Sequence, residues 1–252
     1  AGGTTLTTGT LRLGNDLALG TGSLLMKAGR LSGAGAALRT ISNGLSFAGH
    51  MSLGDAALGG TLVLSGGATL GGNRTLNVDS DVTLSGVISG ANNSLTKIGA
   101  GVLTLSGSNT FNSGVLLNNG VLRLGHNSGF GTGSVTMGTG RITSDSATGR
   151  TVANGLILSG TVAFGDALFN GDLNFAGGAL LNSTTNMNID SLVTLSGAVS
   201  GPGSLVKAGS SELTLSGVNS FTGATQVNLG TLTLSGGSAL VNSMAVSIGS
   251  LG

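Results

Sequence analysis

The chain has 252 residues, among them 49 glycines, one proline and no cysteine, tryptophan or tyrosine; 8% of its residues are charged, 39% are apolar, and the net charge is +1. The lack of cysteine excludes a disulfide framework and a thiolate metal site. Moderate hydrophobicity with little net charge excludes a disordered chain, and the near-zero charge removes the electrostatic footprint expected of a nucleic-acid-binding protein.

From the N-terminus, short alternating runs begin at once and then return. Thr10-Leu-Arg-Leu-Gly14 reappears as Val121-Leu-Arg-Leu-Gly125, a spacing of 111 residues. At the same spacing Gly20-Thr-Gly-Ser23 becomes Gly131-Thr-Gly-Ser134, Arg39-Thr40 becomes Arg150-Thr151, and Asn43-Gly-Leu45 becomes Asn154-Gly-Leu156. Gly54-Asp-Ala56 becomes Gly165-Asp-Ala167, and Leu76-Asn-Val-Asp79 becomes Met187-Asn-Ile-Asp190. Beyond Pro202 the offset falls to 110, and Leu103-Thr-Leu-Ser-Gly107 pairs with Leu213-Thr-Leu-Ser-Gly217. The superrepeat therefore runs over about 10–120 and 121–230, with a partial third copy in 231–252. A long internal repeat constrains architecture before any local signal does.

A shorter period lies inside it. An apolar-x-apolar-Ser-Gly tag closes at Gly66, Gly86 and Gly107, and again at Gly197, Gly217 and Gly236, with gaps of 20, 21, 20 and 19 residues. Between tags lie runs such as Val102–Leu105, Val115–Leu117 and Val121–Leu124, separated by Gly, Asn and Ser. Alternation over so few residues, bounded by turn formers, predicts strands with one buried face and leaves little room for helix. Two or three strands per ~20-residue period predict an all-β solenoid of about twelve coils, each burying its inward face against its neighbours. No apolar run is long enough for a transmembrane helix, and aromatic girdles for a membrane barrel are lacking. The chain is read as a single solenoid segment, 1–252, of a longer protein.

Lys97-Ile-Gly-Ala-Gly-Val-Leu-Thr-Leu-Ser-Gly-Ser-Asn-Thr-Phe111, followed by Gly114-Val-Leu-Leu-Asn-Asn-Gly-Val-Leu-Arg-Leu-Gly125, resembles the autotransporter-associated β-strand repeat of bacterial type V secretion passenger domains. A second copy runs from Lys207 through Phe221 to Leu234. The sequence departs from the pattern at Ser211 and Ser113, small residues standing where the family has glycine. The resemblance implies a right-handed parallel β-helix exported to the bacterial surface, acting as an adhesin or as a stalk for other domains. The membrane enters only through a translocator barrel outside this segment.

The remaining chemistry is sparse. Asp145, Asp166 and Asp190 are spaced to fall in one column on successive coils and form the best carboxylate constellation for glycoside cleavage, which needs two carboxyls at close range. Asp166 and Asp190 are matched by Asp55 and Asp79 one superrepeat earlier, so turn capping is the expected role. Asp79 and Asp81 lack the glycine-rich nonapeptide of a calcium-loaded roll. His50 and His126 are neither duplicated nor paired. Lys97/Lys207 and the duplicated arginines Arg12/Arg123, Arg30/Arg141 and Arg39/Arg150 read as solvated outer positions. Thr83, Thr104, Thr194, Thr214 and Thr233 read as cross-strand ladders rather than an ice-binding array. No residue is assigned as catalytic, cofactor-binding or metal-ligating, and no cofactor is expected. The expected function is a non-enzymatic surface scaffold or adhesin, ahead of a self-assembling fibre subunit and a polysaccharide-cleaving enzyme. The expected partners are further copies of the chain, through solenoid ends or faces, or a surface glycan or protein.

Overall fold

The structure, a computed structural model, describes residues 2–236, 240 and 245–249. Among these residues every regular element is a β-strand, and all the pairings between strands are parallel. Most strands span three or four residues, because each run ends at a corner where Gly, Asn or Ser reverses the chain. The chain divides into two compact units, 1–133 and 134–252.

In the first unit each coil contributes to three parallel columns. One column stacks Thr4–Leu6, Leu24–Met26, Leu45–Phe47, Ala68–Leu70 and Ile88–Ser89. A second stacks Thr10–Leu13, Arg30–Gly33, Met51–Leu53, Arg74–Val78, Leu95–Ile98 and Val115–Leu117. The third stacks Arg39–Ile41, Leu62–Leu64, Val82–Leu84, Val102–Leu105 and Val121–Leu124.

The second unit repeats the plan. Its third column stacks Arg150–Val152, Leu173–Phe175, Val193–Leu195, Glu212–Leu215 and Thr231–Leu234. Its first two columns run together in the longer strands Leu156–Phe164 and Ala179–Ile189, whose mutual register shifts between Leu158 and Gly160.

Alternation sets the core. Leu62, Leu64, Leu84, Leu103, Leu105, Leu122 and Leu124 point inward and are buried to within 1% of complete exclusion from solvent. The intervening Val63, Thr83, Thr104 and Arg123 form the outward ladder of the same column. Successive coils sit ~4.8 Å apart, so identical inward positions pile into continuous apolar stacks. Phe111 and Phe221 occupy equivalent buried places in the two units, as their matching motif positions predict. Phe164 and Phe175 meet edge to face at 5.4 Å in the second unit.

Lys97 and Lys207 overturn one expectation. Both are fully buried, not solvated. The physical reason lies in their own strands: Leu95 and Lys97, like Leu205 and Lys207, are two residues apart and share the inward face. Arg30, Arg39, Arg123, Arg141 and Arg150 are part-buried rather than fully solvated, whereas Arg12 is exposed. Of the predicted partial third superrepeat, residues 237–239, 241–244 and 250–252 lie outside the described residues.

Candidate functional site

The most constrained polar chemistry belongs to the duplicated Lys-x-Gly motif. The Nζ of Lys97 donates to the carbonyls of Ile98 (3.3 Å), Gly99 (2.8 Å) and Asn119 (3.1 Å). Lys207 repeats this with Ala208 (3.1 Å), Gly209 (2.7 Å) and Leu229 (2.8 Å). Each ammonium thus ties a corner of its own coil to the corner of the next. The next corner must leave room: a Cβ on Gly120 would lie 2.8 Å from the Lys97 Nζ, and one on Gly230 at 2.8 Å from the Lys207 Nζ. Both glycines also take positive φ, +73° and +71°, so two separate constraints select glycine there. Burial pushes the Lys97 pKa down from 10.5 to about 8, with the Asp79 carboxylate pulling it back up. Lys207 is lowered for the same reason, opposed by Asp190.

The motif asparagines do related work. Asn109 Oδ1 accepts the Ile88 N–H at 2.7 Å, and its Nδ2 donates to the Gly129 carbonyl at 2.6 Å. The side chain therefore bridges three successive coils. Asn219 Oδ1 accepts the Val199 N–H at 2.8 Å in the second unit.

The predicted carboxylates are held by structural partners. Asp145 pairs with Arg150 at 2.5 Å. Asp166 caps a turn, its Oδ1 accepting the N–H groups of Leu168 (2.8 Å) and Phe169 (3.3 Å). Asp190 pairs with Arg141 at 2.7 Å. The first unit holds the counterparts: Asp55 Oδ1 accepts the Ala57 N–H at 3.1 Å, and Asp79 pairs with Arg30 at 2.6 Å. Ala34 replaces Asp145 there, so Arg39 turns to the carbonyls of Leu13 and Leu38. Glu212 accepts the Thr214 hydroxyl at 3.3 Å. Among the described residues no three His, Asp or Glu side chains gather in a metal-holding group.

The two histidines serve as acceptors. His50 Nδ1 accepts the Thr75 N–H at 2.9 Å, and His126 Nδ1 accepts the Ser128 N–H at 3.0 Å. The threonine ladders have the expected register but are short. Thr83 and Thr104 are flanked by Val63 and Arg123, while Thr194, Thr214 and Thr233 follow Asn174.

One open groove, of about 410 Å³, crosses five successive strands of the second column in the first unit. Thr10, Arg30, Ser52, Asn77 and Ile98 form one outward ladder along it, in mutual register. His50 and Thr75 line its flank. Sequence reading missed this groove, because a concavity across stacked coils leaves no mark in a linear pattern. It also missed the buried lysines and the asparagine bridges. The lysine signal was present in the alternation Leu95-Thr-Lys97 and was overridden by charge.

The passenger-associated-transport-repeat family matches residues 95–124 and 205–234, the two segments that carry the buried lysines. Over 179 residues, 69% of the chain, the sequence is 35% identical to the Adhesin BmaC autotransporter of Brucella suis biovar 1 (strain 1330). The matched part is 5% of that relative's length. No solved structure matches the chain. The autotransporter passenger repeat that the Lys-x-Gly motif resembles is therefore present twice in this sequence.

Proposed function

From two passenger-associated transport repeats in one chain, we propose that this segment belongs to a non-enzymatic, surface-displayed autotransporter passenger that works as an adhesin or as the stalk of one. The observation that carries the reading is the coincidence of the repeat with the Lys97 and Lys207 corner ties. The repeat is an architectural device: beside the apolar stacks it locks coil to coil with a buried ammonium at the corner. The 35% identity to an autotransporter adhesin supports the adhesive role. It also supports a location outside the outer membrane. The 111-residue superrepeat, over about 10–120 and 121–230, is the proposed organisational unit of the segment.

The absence of an enzymatic role belongs to the same proposal. The pairing of Asp145 and Asp190 with arginines, and the turn made by Asp166, support structural duties for these carboxylates.

The test is surface display of the full-length protein in a non-adherent Gram-negative host. Binding to cultured cells and to matrix-coated surfaces is then compared with and without residues 1–252. Loss of adhesion on deletion, with export intact, is the expected result for an adhesive segment. Adhesion that survives deletion assigns the segment to a stalk, and absence of adhesion by the intact protein defeats the adhesin reading.

A further inference from the structure

The two copies of the superrepeat differ in an informative way around the groove of the first unit. Its framework is duplicated: Gly9, Gly29, Arg30 and Asn77 recur as Gly120, Gly140, Arg141 and Asn188. Its outward hydrogen-bonding groups are not. Thr10, His50 and Ser52 become Val121, Thr161 and Ala163. The fold therefore accepts apolar residues at two of these places, and the polar set in the first unit is not demanded by coil stacking.

We propose that this groove is a binding site for a neutral oligosaccharide, a reading that rests on the surface-adhesin role and assigns its ligand class. Three observations select that chemistry. The floor is pre-organised by a closed network: Asn77 Nδ2 donates to Ser52 Oγ (3.3 Å) and to Asp79 Oδ2 (3.1 Å), and Asp79 holds Arg30. Arg30 also donates to the Gly54 carbonyl at 2.5 Å. Arg30 is the one Lys, Arg, Asp or Glu among the groove's lining residues, and it is paired with Asp79, so no unpaired side-chain charge awaits a sulfated or carboxylated polymer.

The available groups suit hydroxyls. Ser52 Oγ accepts from Asn77 and keeps its own O–H to donate. The Thr10 and Thr75 hydroxyls line the groove without a hydrogen bond among the described residues. His50 Nδ1 accepts the Thr75 N–H, so the neutral imidazole carries its proton on Nε2 and presents a donor. A mixture of hydroxyls, which donate and accept, with one fixed N–H donor matches a sugar edge. Ile98 supplies the apolar surface for a C–H face.

A peptide strand is disfavoured. The strands Arg30–Gly33, Met51–Leu53, Arg74–Val78 and Leu95–Ile98 are each paired on both sides. Their backbone groups are spent on neighbouring coils, and strand addition needs a free edge. The volume is in the range of small-ligand sites.

The test uses the purified 252-residue protein and a variant in which the second unit's residues are placed in the first, Thr10→Val/His50→Thr/Ser52→Ala. Titration calorimetry and NMR are run with cellohexaose, chitohexaose and mannohexaose, and with a heparin hexasaccharide as the anionic arm. At least one neutral saccharide is expected to bind and to shift the His50 imidazole signals. The triple variant is expected to bind at least about tenfold more weakly, with an unchanged far-UV circular dichroism spectrum. Ser52→Ala alone provides the same readout should the triple variant not fold. Binding by none of the neutral saccharides, by heparin alone, or equally by wild type and Ser52→Ala overturns the proposal. In the display assay, adhesion that persists in a protein without saccharide binding overturns the groove alone. Absence of adhesion overturns the adhesin reading beneath it.

Discussion

Lys97 shows how a charge can serve a nearly uncharged chain. Its ammonium is wholly excluded from solvent yet donates to three carbonyls on two coils, so most of its lost hydration is replaced. Hydrogen bonds to a charged donor are the stronger kind. Lys97→Met keeps the length and removes the donors, so the carbonyls of Ile98, Gly99 and Asn119 lose their ammonium partner. We expect a loss of about 2–3 kcal/mol in urea denaturation; Lys207→Met should act in the same direction. The pH dependence has a definite sign. Burial lowers the folded pKa to about 8 from 10.5. Between these values the unfolded chain holds a proton that the folded chain has shed, so this contribution to stability rises as pH rises through that window. A urea midpoint that climbs from about pH 8 to about pH 10.5 in wild type, and climbs less in Lys97→Met, is the expected pattern.

At the scale of the element, corners rather than strands carry the individuality. Strand runs such as Leu62–Leu64 and Val102–Leu105 were legible because period-two alternation places every second residue in the core. The duplicated corner at Gly54 and Gly165 was legible only as a repeat. Its reason is tertiary: φ is +75° and +81°, and an added Cβ would press on the hydroxyl of Ser80 or Ser191 one coil away. Gly54→Ala should cost about 1–3 kcal/mol. Gly35→Ala, where a Cβ meets only open space, should stay within about 0.5 kcal/mol of wild type. Comparable losses for the two alanines would remove the corner argument. Asn109→Ala should cost about 1–3 kcal/mol, because it strands a buried N–H and a buried carbonyl at once. Thermal melts of the three variants rank these effects directly.

For the molecule as a whole, the two compact units share one plan, and neither leans on its ion pairs. Ion pairs such as Arg30–Asp79 retain about a quarter of their side-chain exposure, where an ion pair contributes little and salt screens it. The apolar columns and the backbone ladders between coils supply the stability. Denaturation midpoints should therefore move little between about 0.1 and 1 M NaCl. A steep loss with salt would mean that the pairs matter more than the stacks.

The sequence by itself determined the class of fold, the coil period and the superrepeat. These follow from alternation and self-similarity, which are properties of a linear string. It also placed Phe111 and Phe221 in equivalent buried sites, since two copies of one motif must face one core. Only the tertiary structure decided that Lys97 and Lys207 tie one coil's corner to the next, that Asn109 spans three coils, and that Asp145 answers Arg150 where Ala34 leaves Arg39 to carbonyls. The lysine ties and the asparagine bridge depend on which atoms of the next coil lie ~4.8 Å away, and that neighbour is some twenty residues distant in the chain, whereas Asp145 and Arg150 are five residues apart and meet across one corner. The groove of Thr10, Ser52 and His50 is of the same kind. Its residues come from separate coils, and stacking alone brings them to one surface.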